Sequence, residues 1–202
     1  MVSKKYAKVN TKRCVACGVC VKECPKSAIH IFKGCFAVID KENVGLAGSF
    51  SVNPSSCENS EFYKEYLQFS AIGDLQTGRN TTHLFIDEDA NRIMGFVSLR
   101  ASAIISNGEG DSMTGIPALE VSVLAVDKDY AGQGVGSALI DYVIYQADEL
   151  HKQYMGLQYV VLAADKKAVG FYDRMGFVPI ENRWNQIPKE NWSANCVPMF
   201  LQ

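Results

Sequence analysis

The chain has 202 residues, 48% of them hydrophobic, and a formal net charge of −2. That length fits one large domain, or one domain with an appendage, and the apolar fraction is enough to bury a core. No apolar run reaches the roughly 18–20 residues of a membrane span, and the basic N-terminus lacks an apolar stretch behind it. Neither a membrane anchor nor a signal peptide is therefore expected, and the expected location is cytoplasmic.

The small net charge hides an asymmetry. Residues 1–46 carry nine Lys/Arg and three Asp/Glu, about +6, whereas residues 47–202 carry eleven and nineteen, about −8. Opposite charge on two segments predicts two units, 1–46 and 47–202. The boundary falls in "DKENVGLAGSFSVNPSS", a stretch rich in Gly, Ser, Asn and Pro. The acidic larger unit argues against nucleic acid as its partner, because phosphate binding needs Lys and Arg. It favours a cationic substrate such as a protonated amine.

Taken in chain order, the first feature is Cys14-x-x-Cys17-x-x-Cys20-x-x-x-Cys24-Pro25. With no export signal, a tight cluster reads as a metal or redox site rather than a disulfide framework, and the odd total of seven cysteines agrees. The spacing resembles the ligand run of bacterial ferredoxins, and "KSAIHIFKGCFAVID" resembles the helix and hairpin that follow it there. The resemblance implies a 4Fe-4S cluster bound by Cys14, Cys17, Cys20 and Cys24, but the second ligand run is missing. In two-cluster ferredoxins the first three cysteines bind one cluster and the fourth binds the other. Four arrangements are open. Cys35 or Cys57 completes a single site; Cys24 turns in as fourth ligand; two chains form a homodimer and exchange Cys24; or the run is a remnant that holds zinc or nothing.

Beyond the linker, "CENSEFYKEYLQFSAI" predicts a helix with Phe62, Tyr66, Phe69 and Ile72 on its apolar face, capped by Asn59 or Ser60. "HLFID" and "RIMGFVSLRASAII" predict a hairpin turned by "EDAN". "PALEVSVLAVD" predicts a strand with Leu119, Val121, Val123 and Ala125 on one face and Glu120, Ser122 and Leu124 on the other. A helix follows the glycines, with Leu139, Ile140, Val143, Ile144, Ala147 and Leu150 inward. "LQYVVLAA" is a strand and "KKAVGFYDRM" a short helix stopped by Gly176. "FVPI" and "CVPMFLQ" are closing strands. The order predicts an α/β layer fold.

"AGQGVGSAL" sits between a strand and a helix. Its glycines allow a tight turn and close approach to backbone N–H groups, and the helix N-terminus adds a positive dipole end. It is an anion site without Lys, and no Gly-Lys-Ser/Thr follows to make a P-loop. Together with "KKAVGFYDRMGF", it resembles the GNAT superfamily of acyl-CoA-dependent N-acyltransferases. "LAVDKDYAGQGVGSALI" resembles the CoA-pyrophosphate motif, "VVLAADKKAVGFYDRMGF" the family's last motif, and "RIMGFVSL" its third strand. The first part of the domain also resembles, loosely, the branch containing aminoacyl-tRNA-acetylating toxins.

The resemblance implies a mixed sheet flanked by helices, with acetyl-CoA as donor and a primary amine, on a small molecule or a peptide, as acceptor. It implies a CoA site at Leu124, Ala125, Val126, Gly132, Gln133, Gly134, Val135, Gly136, Ser137 and Phe171. Ala131 departs from the Arg/Gln that opens the family's loop pattern, with Gln133 as a substitute contact. Direct attack of the amine on the thioester needs a base, an oxyanion partner and an acid for the departing thiolate. Tyr172 is the implied acid and Glu120 the candidate base, with base action through water as the alternative. A redox-sensing protein with a CoA-binding domain, or a tRNA-acetylating enzyme, is the competing reading.

Overall fold

The computed structural model describes residues 13, 17, 19–22, 29–32, 36–39, 47–107, 113–180 and 196–202. In the N-terminal segment these comprise helix α1 (Val19–Lys22) and an antiparallel hairpin. The hairpin pairs β1 (Ile29–Phe32) with β2 (Phe36–Ile39) and sets Ile29 opposite Ile39.

From residue 47 the chain packs on the larger domain. Ala47 and Val52 lie against a core cluster around the buried Phe50, and Ala47 O accepts a hydrogen bond from Gln68 Nε2 at 3.0 Å. Helix α2 (Ser60–Glu65) is capped by Asn59, whose Oδ1 accepts from Phe62 N at 3.2 Å. A π turn (Tyr66–Ser70) then leads into α3 (Ala71–Gln76). The inserted residue rotates the helix after it, so the buried face is Tyr66, Leu67 and Ala71. Phe62 and Phe69, expected inward from a regular period, are about half exposed, at 44% and 51%.

The strands are β3 (Thr81–Asp87), β4 (Arg92–Asn107), β5 (Met113–Val126), β6 (Tyr159–Asp165), β7 (Val178–Pro179) and β8 (Cys196–Leu201). They form one mixed sheet in the order β3-β4-β5-β6-β8-β7, antiparallel except for the parallel pair β5/β6. The β3–β4 turn is tied by Asp87 Oδ1, which accepts from Ala90 N at 2.9 Å. Helix α4 (Val135–Gln153) seals one face with Leu139, Ile140, Val143 and Ala147, each such burial contributing about 1.5–3 kcal/mol for the large aliphatics. Ile144, expected inward, is 37% exposed at the edge of that face. Helix α5 (Val169–Arg174) follows β6 and stops at Gly176, which has φ +89°.

Two features of β5 shape the site. Its pairing with β6 runs from Ala118↔Tyr159 to Val121↔Leu162 and ends there, so the two strands part. Its pairing with β4 jumps from Leu99↔Val121 to Ser98↔Val123, which leaves Ser122 as the extra residue of a β-bulge. The bulge exchanges faces. Leu119 and Val121 pack under α4 with Leu124 and Val126, whereas Val123 and Ala125 pack with Tyr66 and Phe96 on the opposite side. The simple alternation expected from "LEVSVLAVD" therefore breaks at Ser122.

Candidate active site

The gap between β5 and β6 opens a cleft of about 1070 Å³. One end is made of backbone. Asp127 leads into a single 3₁₀ turn (Lys128–Tyr130) and then the glycine turn. Gly132 and Gly134 take φ of +78° and +84°, in the left-handed region, and both line the cleft. A Cβ on either would meet no atom within 4 Å, so the glycines serve backbone conformation and ligand approach rather than packing. Gly134 is also the N-cap of α4, with no side-chain cap. The first N–H groups of that helix, at Val135, Gly136 and Ser137, have no intrahelical partner by geometry. Gly136 is required for a different reason, because a Cβ there would lie 3.3 Å from the Phe171 ring.

The turn is braced from behind. Asp127 is fully buried, and its carboxylate accepts from Ser51 N at 2.8 Å, Asp129 N at 3.0 Å and Arg92 at 3.2 Å. Arg92 also pairs with Asp129 at 2.7 Å, and Lys128 N donates to Ser51 O. A buried carboxylate is tolerable only with partners of this kind. The same bonds tie the strap at residue 51 to the base of the glycine turn.

The other end is made of side chains. Tyr172 is buried between Phe171 and Phe177, and it lines the cleft. Burial first, then the neighbouring Tyr63, pushes its phenol well above the ordinary value of 10. Burial, with Cys57, Asp165 and Cys196 beside it, pushes Tyr63 up to about 12. Burial and Asp165 raise the Cys57 thiol against the pull of Lys167. Asp165 is held below the usual carboxylate range by the N–H groups of Glu58 and Lys167, at 3.0 and 2.9 Å. Between the two ends, β5 past Val121 has lost β6 and turns a bare backbone edge to the cleft.

Of the residues expected at the CoA site, Leu124, Ala125, Val126, Gly132, Gly134, Gly136, Ser137 and Phe171 line this cleft. Gln133 does not; its side-chain amide donates to Asp129 O at 2.8 Å and steadies the turn. Val135 is not a lining residue either, but packs against the α4 core. Glu120 also stands outside the lining. It faces Arg100 across the β4/β5 pair and forms an ion pair with it. Sequence reasoning missed Tyr63, Ser122 and Asp165 as site residues, and it weighed Cys57 only as a spare cluster ligand. Cys57 is instead buried in the cleft wall. Asp165 lies within the stretch "VVLAADKKAVGFYDRMGF" but was given no role there, and nothing local marks the other three.

The comparisons with known proteins agree with this geometry. A family model described as a GNAT acetyltransferase domain matches residues 50–187. The chain belongs to the GNAT acetyltransferases. A second model, a 4Fe-4S binding domain, matches residues 7–30. The mycothiol acetyltransferase of Propionibacterium freudenreichii is 41% identical over 66 residues, 31% of this chain and 20% of that protein. The ribosomal protein bS18-alanine N-acetyltransferase of Escherichia coli is 33% identical over 79 residues, 39% of this chain and 51% of that protein. The chain thus spans about half or less of the length of these curated relatives. Among solved structures, AtaT complexed with acetyl-methionyl-tRNAfMet superposes with TM-score 0.57 at 17% identity, over 78% of this chain and 89% of that one. AtaTR bound with acetyl-CoA gives 0.57 at 17%, over 71% and 81%. These likenesses establish the fold.

Of the four cysteines in the 4Fe-4S match, Cys17 and Cys20 fall within the described residues. Both are free and exposed, and Cys20 lies on α1. Two accessible thiols three residues apart at the start of a helix are the soft donors such a cluster takes. Cys14, Cys24 and Cys35 lie outside the described residues. No helix among those described is long and apolar enough to cross a membrane.

Proposed function

We propose that the protein transfers an acetyl group from acetyl-CoA to a primary amine by direct attack, in a domain spanning residues 47–202. The observation that carries this reading is the cleft where β5 leaves β6, with a left-handed glycine turn at one end and a buried tyrosine at the other. The α4 N-terminus and the turn of Gly132 and Gly134 receive the pyrophosphate, with no lysine needed. The free edge of β5 at Leu124–Val126 receives the thioester carbonyl and stabilises the oxyanion as the amine adds. Tyr172 donates its proton to the sulfur as the carbon–sulfur bond breaks, and its raised pKa keeps that proton available. Glu120, held by Arg100 away from the lining, takes the amine proton only through intervening water.

Cys14, Cys17, Cys20 and Cys24 are the residues that would hold the 4Fe-4S cluster in the segment 1–46, where it would supply one-electron redox chemistry or a structural staple. A segment of that length has too little core to fold readily without one. The acceptor follows from charge. The domain's acidic balance favours a small or peptide amine over aminoacyl-tRNA, although the solved structures similar in fold include one with acetyl-methionyl-tRNAfMet. The test is release of free thiol from acetyl-CoA, measured with an alanine-starting peptide, propylamine and aminoacyl-tRNA. Turnover with the peptide or propylamine is expected. Turnover with tRNA alone would overturn the acceptor class, and none with any of the three would overturn the activity. The assay is run on anaerobic iron-loaded protein, oxidised and reduced, and equal rates would make the cluster structural rather than regulatory.

A further inference from the structure

Ser122, the bulge residue of β5, lines the cleft and belongs to a polar network that the proposed chemistry does not use. Its hydroxyl lies 2.9 Å from Asn80 Oδ1 and 3.1 Å from Ser98 O, both acceptors. Asn80 is itself buried, and its Nδ2 donates to Asp74 Oδ2 at 2.7 Å and to the Tyr66 hydroxyl at 3.3 Å. Tyr66 in turn donates to Asp74 at 3.2 Å. The Asp74 carboxylate fixes the orientation of the Asn80 amide, since turning it over would set two acceptors against each other. The direction of every hydrogen bond is then determined. Ser122 gives its one proton inward, whichever of its two acceptors takes it, and this residue of the cleft lining keeps only lone pairs for a further partner.

We propose that Ser122 is the positioning acceptor for the attacking amine. A hydroxyl with its proton committed can only accept, so it binds an N–H group and does not bind a carbonyl or a thiolate. The chain from Ser122 through Asn80 to Asp74 ends in a carboxylate, and a hydrogen-bond chain polarised in that sense strengthens its terminal acceptor toward a cationic or electron-poor N–H. The position suits the task. Ser122 follows Val121, where β5 parts from β6, and precedes Leu124–Val126, whose edge receives the thioester in the proposed reaction. Alternation sets Ser122 on the face opposite Val121, and the bulge keeps Val123 and Ala125 on that same side, with Tyr66 and Phe96. This inference rests on the acetyl-transfer reading and adds to it a specificity: the acceptor is recognised as a hydrogen-bond donor.

The test compares Ser122→Ala and Ser122→Thr with the parent protein, using the alanine-starting peptide and propylamine as acceptors. Ser122→Ala is expected to raise the KM for the amine about tenfold, the effect of one lost hydrogen bond to a charged partner, with the KM for acetyl-CoA within twofold. Ser122→Thr keeps the hydroxyl and should recover most of the loss. Ser122→Cys, similar in size but a weak acceptor, should behave like the alanine variant. A merely structural role in the bulge would disturb the adjacent thioester edge, so an acetyl-CoA KM that rises in step with the amine KM overturns the proposal. An unchanged amine KM overturns it as well and leaves the acetyl-transfer reading standing. Absence of turnover in the parent protein removes that reading and this inference together.

Discussion

The two ends of the cleft are built from different materials. The end proposed for the phosphates is backbone: positive-φ glycines, the first N–H groups of α4, and the buried Asp127 that braces them. The end proposed for the acceptor is side chains: Tyr172, Tyr63, Cys57, Asp165 and Ser122, from three stretches of chain, 57–63, 122 and 165–172. In the proposed reaction, backbone groups would recognise what every acyl-CoA shares, without a charged side chain, and side chains would recognise what differs between acceptors. The contrast predicts that changes at one end alter donor binding and changes at the other alter acceptor binding or chemistry.

The largest effect should come from the acceptor end. Tyr172→Phe removes the acid while keeping the ring between Phe171 and Phe177, so kcat is expected to fall about 100–1000-fold. Binding of acetyl-CoA, measured by calorimetry, should stay within twofold. A kcat within threefold of the parent would sink the acid role. The pH profile sharpens the point. An acid must be protonated to act, and activity is lost as pH rises through its pKa. Because the Tyr172 pKa is raised above 10, no alkaline fall in kcat should begin below about pH 10. A fall near pH 8 would assign the proton to another group.

The next test reaches the brace of the phosphate end. Asp127→Ala removes the acceptor for Ser51 N, Asp129 N and Arg92 in a buried position. Loss of a buried, charge-assisted network should cost about 3 kcal/mol, read from urea unfolding. Saturating acetyl-CoA should recover part of it, because a ligand that binds only the folded state stabilises it. A variant as stable as the parent would show that the strap at residue 51 is not held by this carboxylate.

The same contrast explains what was legible in the sequence. The backbone end is contiguous, so "AGQGVGSAL" between a strand and a helix carried its own reading, and Tyr172 stood in a recognisable local motif. The acceptor end is assembled by topology. Cys57 and Asp165 are brought together by a contact from Glu58 N to Asp165 across 107 residues, which no local pattern reports. The two misread faces have one shared cause, an extra residue. The π turn at Tyr66–Ser70 and the bulge at Ser122 each shift the phase of an otherwise regular element, and apolar periodicity cannot register one inserted residue. Ser122 lines the cleft, and the π turn follows Phe62 and Tyr63, which line it too. Glu120 illustrates the limit of motif reading, since the strand was correctly placed but its partner Arg100, twenty residues away, was invisible.

At the phosphate end, Gly134→Ala should have a smaller effect. Its φ of +84° costs a residue with a Cβ about 1–2 kcal/mol, although the space around it is open. The expected outcome is a KM for acetyl-CoA about tenfold higher, with the amine KM unchanged. A matching rise in both would mean that the two ends are not separable.

The smallest effect tests whether the acceptor end depends on the helix beside it. Asn59 caps α2, and that helix carries Phe62 and Tyr63, both of which line the cleft. Asn59→Ala removes the acceptor for Phe62 N and should cost about 1 kcal/mol in urea unfolding. In the first turn of α2 only the half-buried Tyr63 packs on the core when the cap goes. Fraying should therefore begin there and loosen Tyr63 before it reaches Tyr66, which is anchored under Phe96. The kinetic expectation is a two- to threefold rise in amine KM, about what a few tenths of a kcal/mol supplies, with acetyl-CoA KM and kcat unchanged. If the acetyl-CoA KM moved instead, the α2 end would belong to the donor site, and the division of the cleft into a backbone half and a side-chain half would have to be redrawn.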